Sequence, residues 1–562
     1  MPGVRKLKSR TEAFWRDEYR VSDADTDLIT SLILEAGKPQ PLSTLVAAII
    51  ARRLEREKEA VKFQAEHGEI YQPKNHYEID QKILFTALNF ATGQVVAIRP
   101  GNNPKLGTFQ VIRVALDDGS PQREFAADLP NAHPLNRPAE ELLGASDPEV
   151  SDTDLTKRFE HYVARQLEPA IGANPDFVKF NGLWFLRGLL PEVHVGHLNL
   201  AEAMIYEAKR PLAARDMLDE LEINGPASVD ARLFALSHAL SEDNRFDNLG
   251  TAEEPVWYMR ALEPAAVHAR PAVLVPAFRA AGGEYLGITM LETVDEVGDE
   301  LDDIQALSTR EHTSFQCQIP FPHLTAGTLP ASSQLLARLS QTTSKHYPIT
   351  LLDTANNRQL QVWVAREEQY ICGLSDWYSS VGMCLGAQIV LRPTAEPETL
   401  EISISPVRSK RSEWIRSASV ANHALVLQMQ RATVDLKCDR NMLVGVPDQQ
   451  VIVQLMADTE QAQTSLPDLV RVAFQELAKL SSRGIVHAKS IYSVVNLYRR
   501  AGSVPVLAEL TRRACYDPVG DGFWAYSPDT EDRVYRTPET MRERPLSTRS
   551  DLVKDQIVQY LG

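Results

Sequence analysis

The sequence predicts an α+β chain of several domains, in which three helical modules closed by short hairpins are interleaved with two small β-barrel-like domains. Three observations carry this expectation. A chain of 562 residues has room for about three or four domains of roughly 100–200 residues, each with its own core. Stretches with apolar residues every three or four positions alternate with short β-rich runs punctuated by glycine. A helix end, a short turn and a Pro-Leu pair also recur, as Ile33-Leu-Glu-Ala-Gly-Lys-Pro-Gln-Pro-Leu42 and Ile205-Tyr-Glu-Ala-Lys-Arg-Pro-Leu212, which marks an internal repeat.

The first module is expected over residues 1–70. Leu28, Ile29, Leu32 and Ile33 recur at helical spacing up to Gly37, and a second helix follows Pro41 and runs on as the charged stretch Arg52 to Lys62. Residues 71–138 change to strand-like runs, Lys82 to Phe85, Gly93 to Ile98, Thr108 to Leu116 and Arg123 to Ala126, the texture of a small SH3-like β domain. The loop Arg99 to Lys105 reads as a turn built from Pro, Gly and Asn. Residues 139–194 read as a linker and a helical segment.

The most legible unit covers 195–263. Leu198 to Ile205, Pro211 to Leu221 and Ala231 to Leu240 are three helical patterns, followed by Arg245-Phe246, Leu249-Gly250 and Trp257 to Arg260 as a two-stranded wing. Three helices and a wing are the winged-helix layout, and these residues resemble the HARE-type helix-turn-helix family, which includes the delta subunit of bacterial RNA polymerase. The resemblance covers about 65 residues and rests on packing positions. It implies a neighbourhood of chromatin, DNA or RNA polymerase. A third winged-helix pattern is expected over 464–530: helices Leu466 to Leu480, His487 to Arg500 and Val504 to Ala514, then a wing from Tyr516 to Tyr526 turning at Gly520 to Gly522.

Between the second and third modules, 264–312 reads as a solvated acidic connector, with Glu292, Asp295, Glu296, Asp299, Glu300, Asp302 and Asp303 close together. Residues 313–405 hold a Leu-Pro strand at 329–330, an Ile-Thr-Leu-Leu-Asp strand at 349–353, a Gly-Leu-Ser-Asp-Trp-Tyr corner at 373–378 and the strand Gly386 to Leu391. This order resembles the B3-like DNA-binding pseudobarrel. Residues 406–463 read as a basic segment with a β extension, and 531–562 as a tail.

No phosphate loop, dinucleotide fingerprint, zinc-protease motif or nucleophile elbow occurs, so no catalytic residue, cofactor or metal is assigned. His194 and His197 beside Glu192 read as packing or capping at a helix start, and Cys372 as a core thiol despite Asp376 and His346. The five cysteines include no CxxC pair, which predicts buried thiols. No apolar run reaches the roughly 20 residues of a membrane span, and the basic start has no apolar core behind it, so a cytoplasmic protein without membrane contact is expected.

The net charge of −16 argues against a uniformly basic binder, yet cations cluster in the C-terminal half. Arg408, Lys410, Arg411, Trp414 and Arg416 interleave charge with an aromatic, which suits phosphate contact plus stacking and equally suits a basic strand edge that resists unwanted pairing. Lys489, Arg499 and Arg500 mark the second helix of the last module, and Arg512 and Arg513 the third, the helix that in winged-helix proteins often enters the major groove, while arginines near a helix C-terminus equally suit the helix dipole. These ten residues predict a non-catalytic, DNA-binding regulatory or architectural protein. The alternative is a scaffold docking on RNA polymerase or another DNA-processing protein.

Overall fold

The computed structural model describes residues 8–66, 69–88, 91–103, 106–137, 152–223, 226–251, 253–278, 281–302, 313–339, 344–396, 398–405, 412–530 and 533–536. The chain is α+β and divides into two units, Met1–Phe246 and Asp247–Gly562.

In the first unit, Trp15 is fully buried and its indole Nε1 donates to the Ser9 carbonyl at 2.7 Å. The helix Asp23–Ala36 begins in a capping box of Ser22 with Asp25 and ends on Gly37 at φ 57°, where a side chain would strain the backbone. Asp25 is buried and is neutralised by Arg53 at 2.9 Å. Arg53 lies on the helix Leu42–Glu66, which sends Leu45, Val46, Ile49, Ile50 and Leu54 into the same core.

The expected boundary at residue 70 is corrected here. The helix Asp152–Gly172 packs along Leu42–Glu66, burying Leu155, Phe159, Val163, Leu167 and Ile171 at a spacing of four. The strands Phe177–Phe180 and Leu183–Leu186 then form a hairpin, and Gln40–Pro41 pairs with its second strand through Gln40 opposite Trp184. The segment expected to be a linker therefore supplies the third helix and hairpin of the first module, and the β domain is an insertion between helices two and three. That insertion is a five-stranded sheet, Glu69–Ile70, Lys82–Phe85, Ala91–Pro100, Gln110–Leu116 and Arg123–Ala127, adjacent in chain order.

The second repeat contributes the helices Val195–Ala208, Ala214–Leu218 and Val229–Glu242 to this unit. Phe234 meets Phe185 with ring centroids 5.9 Å apart, and Ser228 Oγ donates to the Gly37 carbonyl at 2.8 Å. The Pro-Leu signature opens helix two directly only in the first repeat, where Leu42 is the first helical residue; in the second the helix begins at Ala214. It marks a two-residue strand leading into helix two, Gln40–Pro41 in one repeat and Leu212–Ala213 in the other. Proline fits such a short edge because only one of its flanks needs a donor.

The second unit holds the hairpin strand Val256–Met259 and a seven-stranded, nearly closed sheet. Its spatial order is Phe315–Gln318, Gln388–Pro393, Thr399–Ile404, His346–Asp353, Arg358–Ala365, Tyr370–Cys372 and Thr328–Pro330. Only His346–Asp353 and Thr399–Ile404 run parallel among these neighbours. Ile349, Leu351, Val362, Val364, Ile371 and Trp377 fill its interior. Cys384 and Cys438 are joined as a disulfide, correcting the expectation of free thiols there, while Cys317, Cys372 and Cys515 are buried and free.

The strands Ser412–Ala421 and Ala424–Thr433 form a ten-by-ten hairpin turning at Asn422 and His423, both at positive φ. The C-terminal module follows with the helices Gln449–Gln461 and Leu466–Ala478, the strand Ile485–His487, the helices Ala488–Tyr498 and Ser503–Arg512, and the hairpin Tyr516–Gly520 with Phe523–Tyr526. Ile485–His487 pairs with the second hairpin strand, the same connectivity as in the first module.

The acidic connector is solvated only in part: Glu292, Asp295 and Glu296 are exposed, Asp303 lies outside the described residues, and the remaining three acids turn inward. Its helix Ile288–Val297 contributes Met290, Val294 and Val297 to the core of the C-terminal module, and Asp299, Glu300 and Asp302 are buried. A buried carboxylate needs a partner, and Arg500, itself without solvent exposure, supplies one. Its two terminal nitrogens donate to Asp299 at 2.6 and 2.7 Å and to Glu300 at 2.8 Å. His323 Nε2 lies 2.9 Å from the other Glu300 oxygen. Burial alone would raise the Glu300 carboxyl, but the charges of Arg500 and His323 outweigh it and hold the group well below its ordinary range. Asp302 caps the helix Ser503–Arg512, accepting from Ser503 N and Oγ at 2.6 Å and from Val504 N at 2.9 Å.

Candidate nucleic-acid interface

Arg408, Lys410 and Arg411 lie outside the described residues. Of the seven others, Lys489 and Arg500 are buried, Arg416, Arg499, Arg512 and Arg513 are half-buried, and Trp414 is exposed. Arg500 is the buried counter-ion of Asp299 and Glu300, so its expected place on a DNA-facing surface is corrected. Lys489 has only 6% of its side chain exposed and is held by Asp439 at 2.7 Å and by Glu296, which likewise removes it from the surface. Arg499 lies over the Phe278 ring, 5.4 Å from the centroid, and 3.8 Å from Glu460. Arg512 and Arg513 both pair with Glu509, at 3.5 and 2.7 Å.

The helix expected to enter a groove is enclosed. In Ser503–Arg512, Ser503 and every residue from Pro505 to Thr511 are buried, packed against the Gly283–Tyr285 turn and the helix Ile288–Val297. A recognition helix needs one free face. Here the acidic connector covers it.

What remains outward is the base of the long hairpin. Strand alternation puts Trp414 and Arg416 on one face, and antiparallel register sets Arg431 opposite Trp414 and Met429 opposite Arg416. Trp414 is 63% exposed and Met429 44%. The Arg431 guanidinium lies 5.7 Å from the Trp414 ring centroid, a cation–π pair that holds the indole. Arg416 is fixed from below, donating to Ser490 Oγ at 2.8 Å and to the Leu443 and Arg440 carbonyls. The remaining six tryptophans are at most 9% exposed, so Trp414 alone presents an indole to solvent.

Beside this face a cleft of about 620 Å³ runs between the hairpin and the C-terminal module, reaching Arg440, His487 and Phe523. His487 caps the helix Ala488–Tyr498, its Nδ1 accepting from Lys489 N at 3.1 Å. Burial pushes its imidazole down to about 4, which keeps it the neutral acceptor that the cap requires.

No family model, curated protein or solved structure matches the chain. The site is therefore defined by its own geometry. Arg431, Met429 and Arg440 carried no signal in the sequence, because only the hairpin register brings them beside Trp414. His194 and His197 are where a capping role puts them, His194 Nδ1 accepting from Gly196 N at 3.1 Å and His197 Nδ1 from His194 N at 3.2 Å. A different group, Asp247, Glu263, His268 and His346, gathers two imidazoles and two carboxylates whose donor atoms lie within 4.8 Å of one another.

Proposed function

We propose that the protein is a non-catalytic nucleic-acid-binding protein of regulatory or architectural type, contacting its ligand through the base of the Ser412–Thr433 hairpin. The observation that carries this is the exposed Trp414 stacked with Arg431, at the end of a segment containing Arg408, Lys410 and Arg411. An aromatic ring among cations suits stacking on an unpaired base with charge on the flanking phosphates. The repeated connectivity, in which the strand before helix two pairs with the second hairpin strand, supports a winged-helix origin for the first and third modules. The seven-stranded barrel-like sheet supports the B3-like resemblance. In this reading both serve as a frame, and the hairpin makes the contact.

The test is binding of fluorescent single-stranded and duplex DNA to the full chain at low salt, with a salt titration. Stacking is worth about 1–3 kcal/mol per base, so Trp414→Ala is expected to weaken single-strand binding roughly tenfold or more, while the double substitution R512A/R513A leaves it unchanged. Bound single strand is also expected to shield the one exposed indole from iodide quenching. Absence of binding to either DNA at low salt, or wild-type affinity in both Trp414→Ala and Arg431→Ala, overturns the proposal.

A second reading, a scaffold for RNA polymerase or another DNA-processing protein, is favoured by the net charge of −16 and by Leu200 and Tyr206, 44% and 62% exposed on the helix Val195–Ala208. It requires co-purification with such an enzyme that Tyr206→Asp abolishes.

A further inference from the structure

We propose that Asp247, Glu263, His268 and His346 form a binding site for one divalent transition-metal cation of the zinc class. The geometry centres on Glu263, whose side chain has no solvent exposure. One of its oxygens, Oε2, lies 2.9 Å from His268 Nε2 and 2.8 Å from His346 Nε2. The other, Oε1, is buried without a hydrogen-bond partner. Asp247 Oδ2 is 3.8 Å from His346 Nε2, and the four donor atoms share one small volume.

Tetrahedral zinc with bonds of about 2.0–2.1 Å separates its ligand atoms by about 3.3 Å. The separations of 2.8, 2.9 and 3.8 Å fall on either side of that value, and all four donor atoms lie within 4.8 Å of one another. Two imidazole nitrogens disfavour calcium and magnesium, which take oxygen, and two carboxylates disfavour the soft monovalent copper that thiolates select. Four protein donors describe a closed, structural site.

The surroundings are those of a built site. Arg260 clamps Asp247 from behind, its Nε donating to Oδ2 at 3.0 Å and its Nη2 to Oδ1 at 2.5 Å, which fixes the carboxylate orientation as an outer shell does. Trp363 stands beside the His346 ring at 6.0 Å between centroids, and the two imidazoles meet edge to face at 5.2 Å. The ligands come from the hairpin strand at 247, from the turn and short helix at 263–268, and from the first residue of the strand His346–Asp353. A cation there ties the segment after the hairpin to the seven-stranded sheet within the second unit.

The test uses the full chain, stripped with a chelator and titrated with zinc against a chromophoric competitor, with metal counted by mass spectrometry. One zinc per chain is expected, with zinc raising the melting temperature and cobalt giving the visible absorption of a four-coordinate site. Glu263→Gln and His346→Gln are each expected to abolish one-to-one binding, and Arg260→Ala to weaken it roughly 10- to 100-fold. The double substitution H194A/H197A is expected to leave it intact. If a ligand variant does not fold, zinc protection of His268 and His346 from diethyl pyrocarbonate in the wild-type chain decides. Failure of the stripped wild-type chain to take up stoichiometric zinc or cobalt, or binding that survives both ligand substitutions, overturns the proposal.

Discussion

Replacing Arg500 by methionine tests whether the acidic connector is part of the C-terminal core. The guanidinium is fully buried, gripped on both prongs by Asp299 at 2.6 and 2.7 Å, and touches Glu300 at 2.8 Å. Methionine keeps much of the volume but takes the guanidinium charge from two buried carboxylates, leaving Asp299 with the Tyr492 hydroxyl and Glu300 with His323. Removing one partner of a buried ion pair costs about 3–5 kcal/mol, and with two stranded acids the upper end applies. At about 2–4 °C per kcal/mol for a domain of this order of size, the second unit is expected to melt roughly 10–20 °C lower. Differential scanning calorimetry on the full chain reads this directly. Arg512→Met is the control, since that side chain is 35% exposed and 3.5 Å from Glu509, a pair worth under about 1 kcal/mol. Combining Arg500→Met with Asp299→Asn and Glu300→Gln is expected to restore part of the loss, because the stranded charges are then gone. A melting temperature for Arg500→Met within about 2 °C of wild type, or equal to that of Arg512→Met, refutes the buried network.

Three further outcomes follow from named groups. The His487 imidazole is pushed by burial from 6.5 to about 4, so the unfolded chain binds a proton first and stability falls as pH drops from 6.5 toward 4. His487→Asn, which can still cap, is expected to flatten that limb in denaturant titrations. Asp302 shows the opposite sign. Burial and the neighbouring Asp299 push its carboxyl from 3.8 to about 7, so its contribution is complete below pH 3.8 and is lost as pH rises through 7; Asp302→Asn removes this slope in the same titration. Gly298 ends the helix Ile288–Val297 at φ 64°, and a Cβ there would lie 2.5 Å from the Gln316 carbonyl oxygen. Gly298→Ala is therefore expected to destabilise by more than about 1 kcal/mol in urea unfolding, and an unchanged midpoint would contradict the close approach.

The sequence by itself determined the elements whose residues are neighbours in the chain. Helical spacing at Leu28 to Ile33, the Gly520 to Gly522 turn and the strand runs around Ile349 and Ile389 depend on local periodicity and backbone preference. The structure has them in place. The repeat was legible too, although its Pro-Leu mark covers a short strand as well as the approach to helix two. Tertiary structure alone decided what each charge does. Arg500 and Glu300 are 200 positions apart, and nothing in a one-dimensional pattern tells a solvated acidic run from one folded under a helix to meet a buried guanidinium. The same holds for the helix Asp152–Gly172, separated from its partner helix by an inserted domain, and for Arg431, placed beside Trp414 only by the hairpin register. Burial and pairing are properties of contacts between distant segments, and long-range closure sets them.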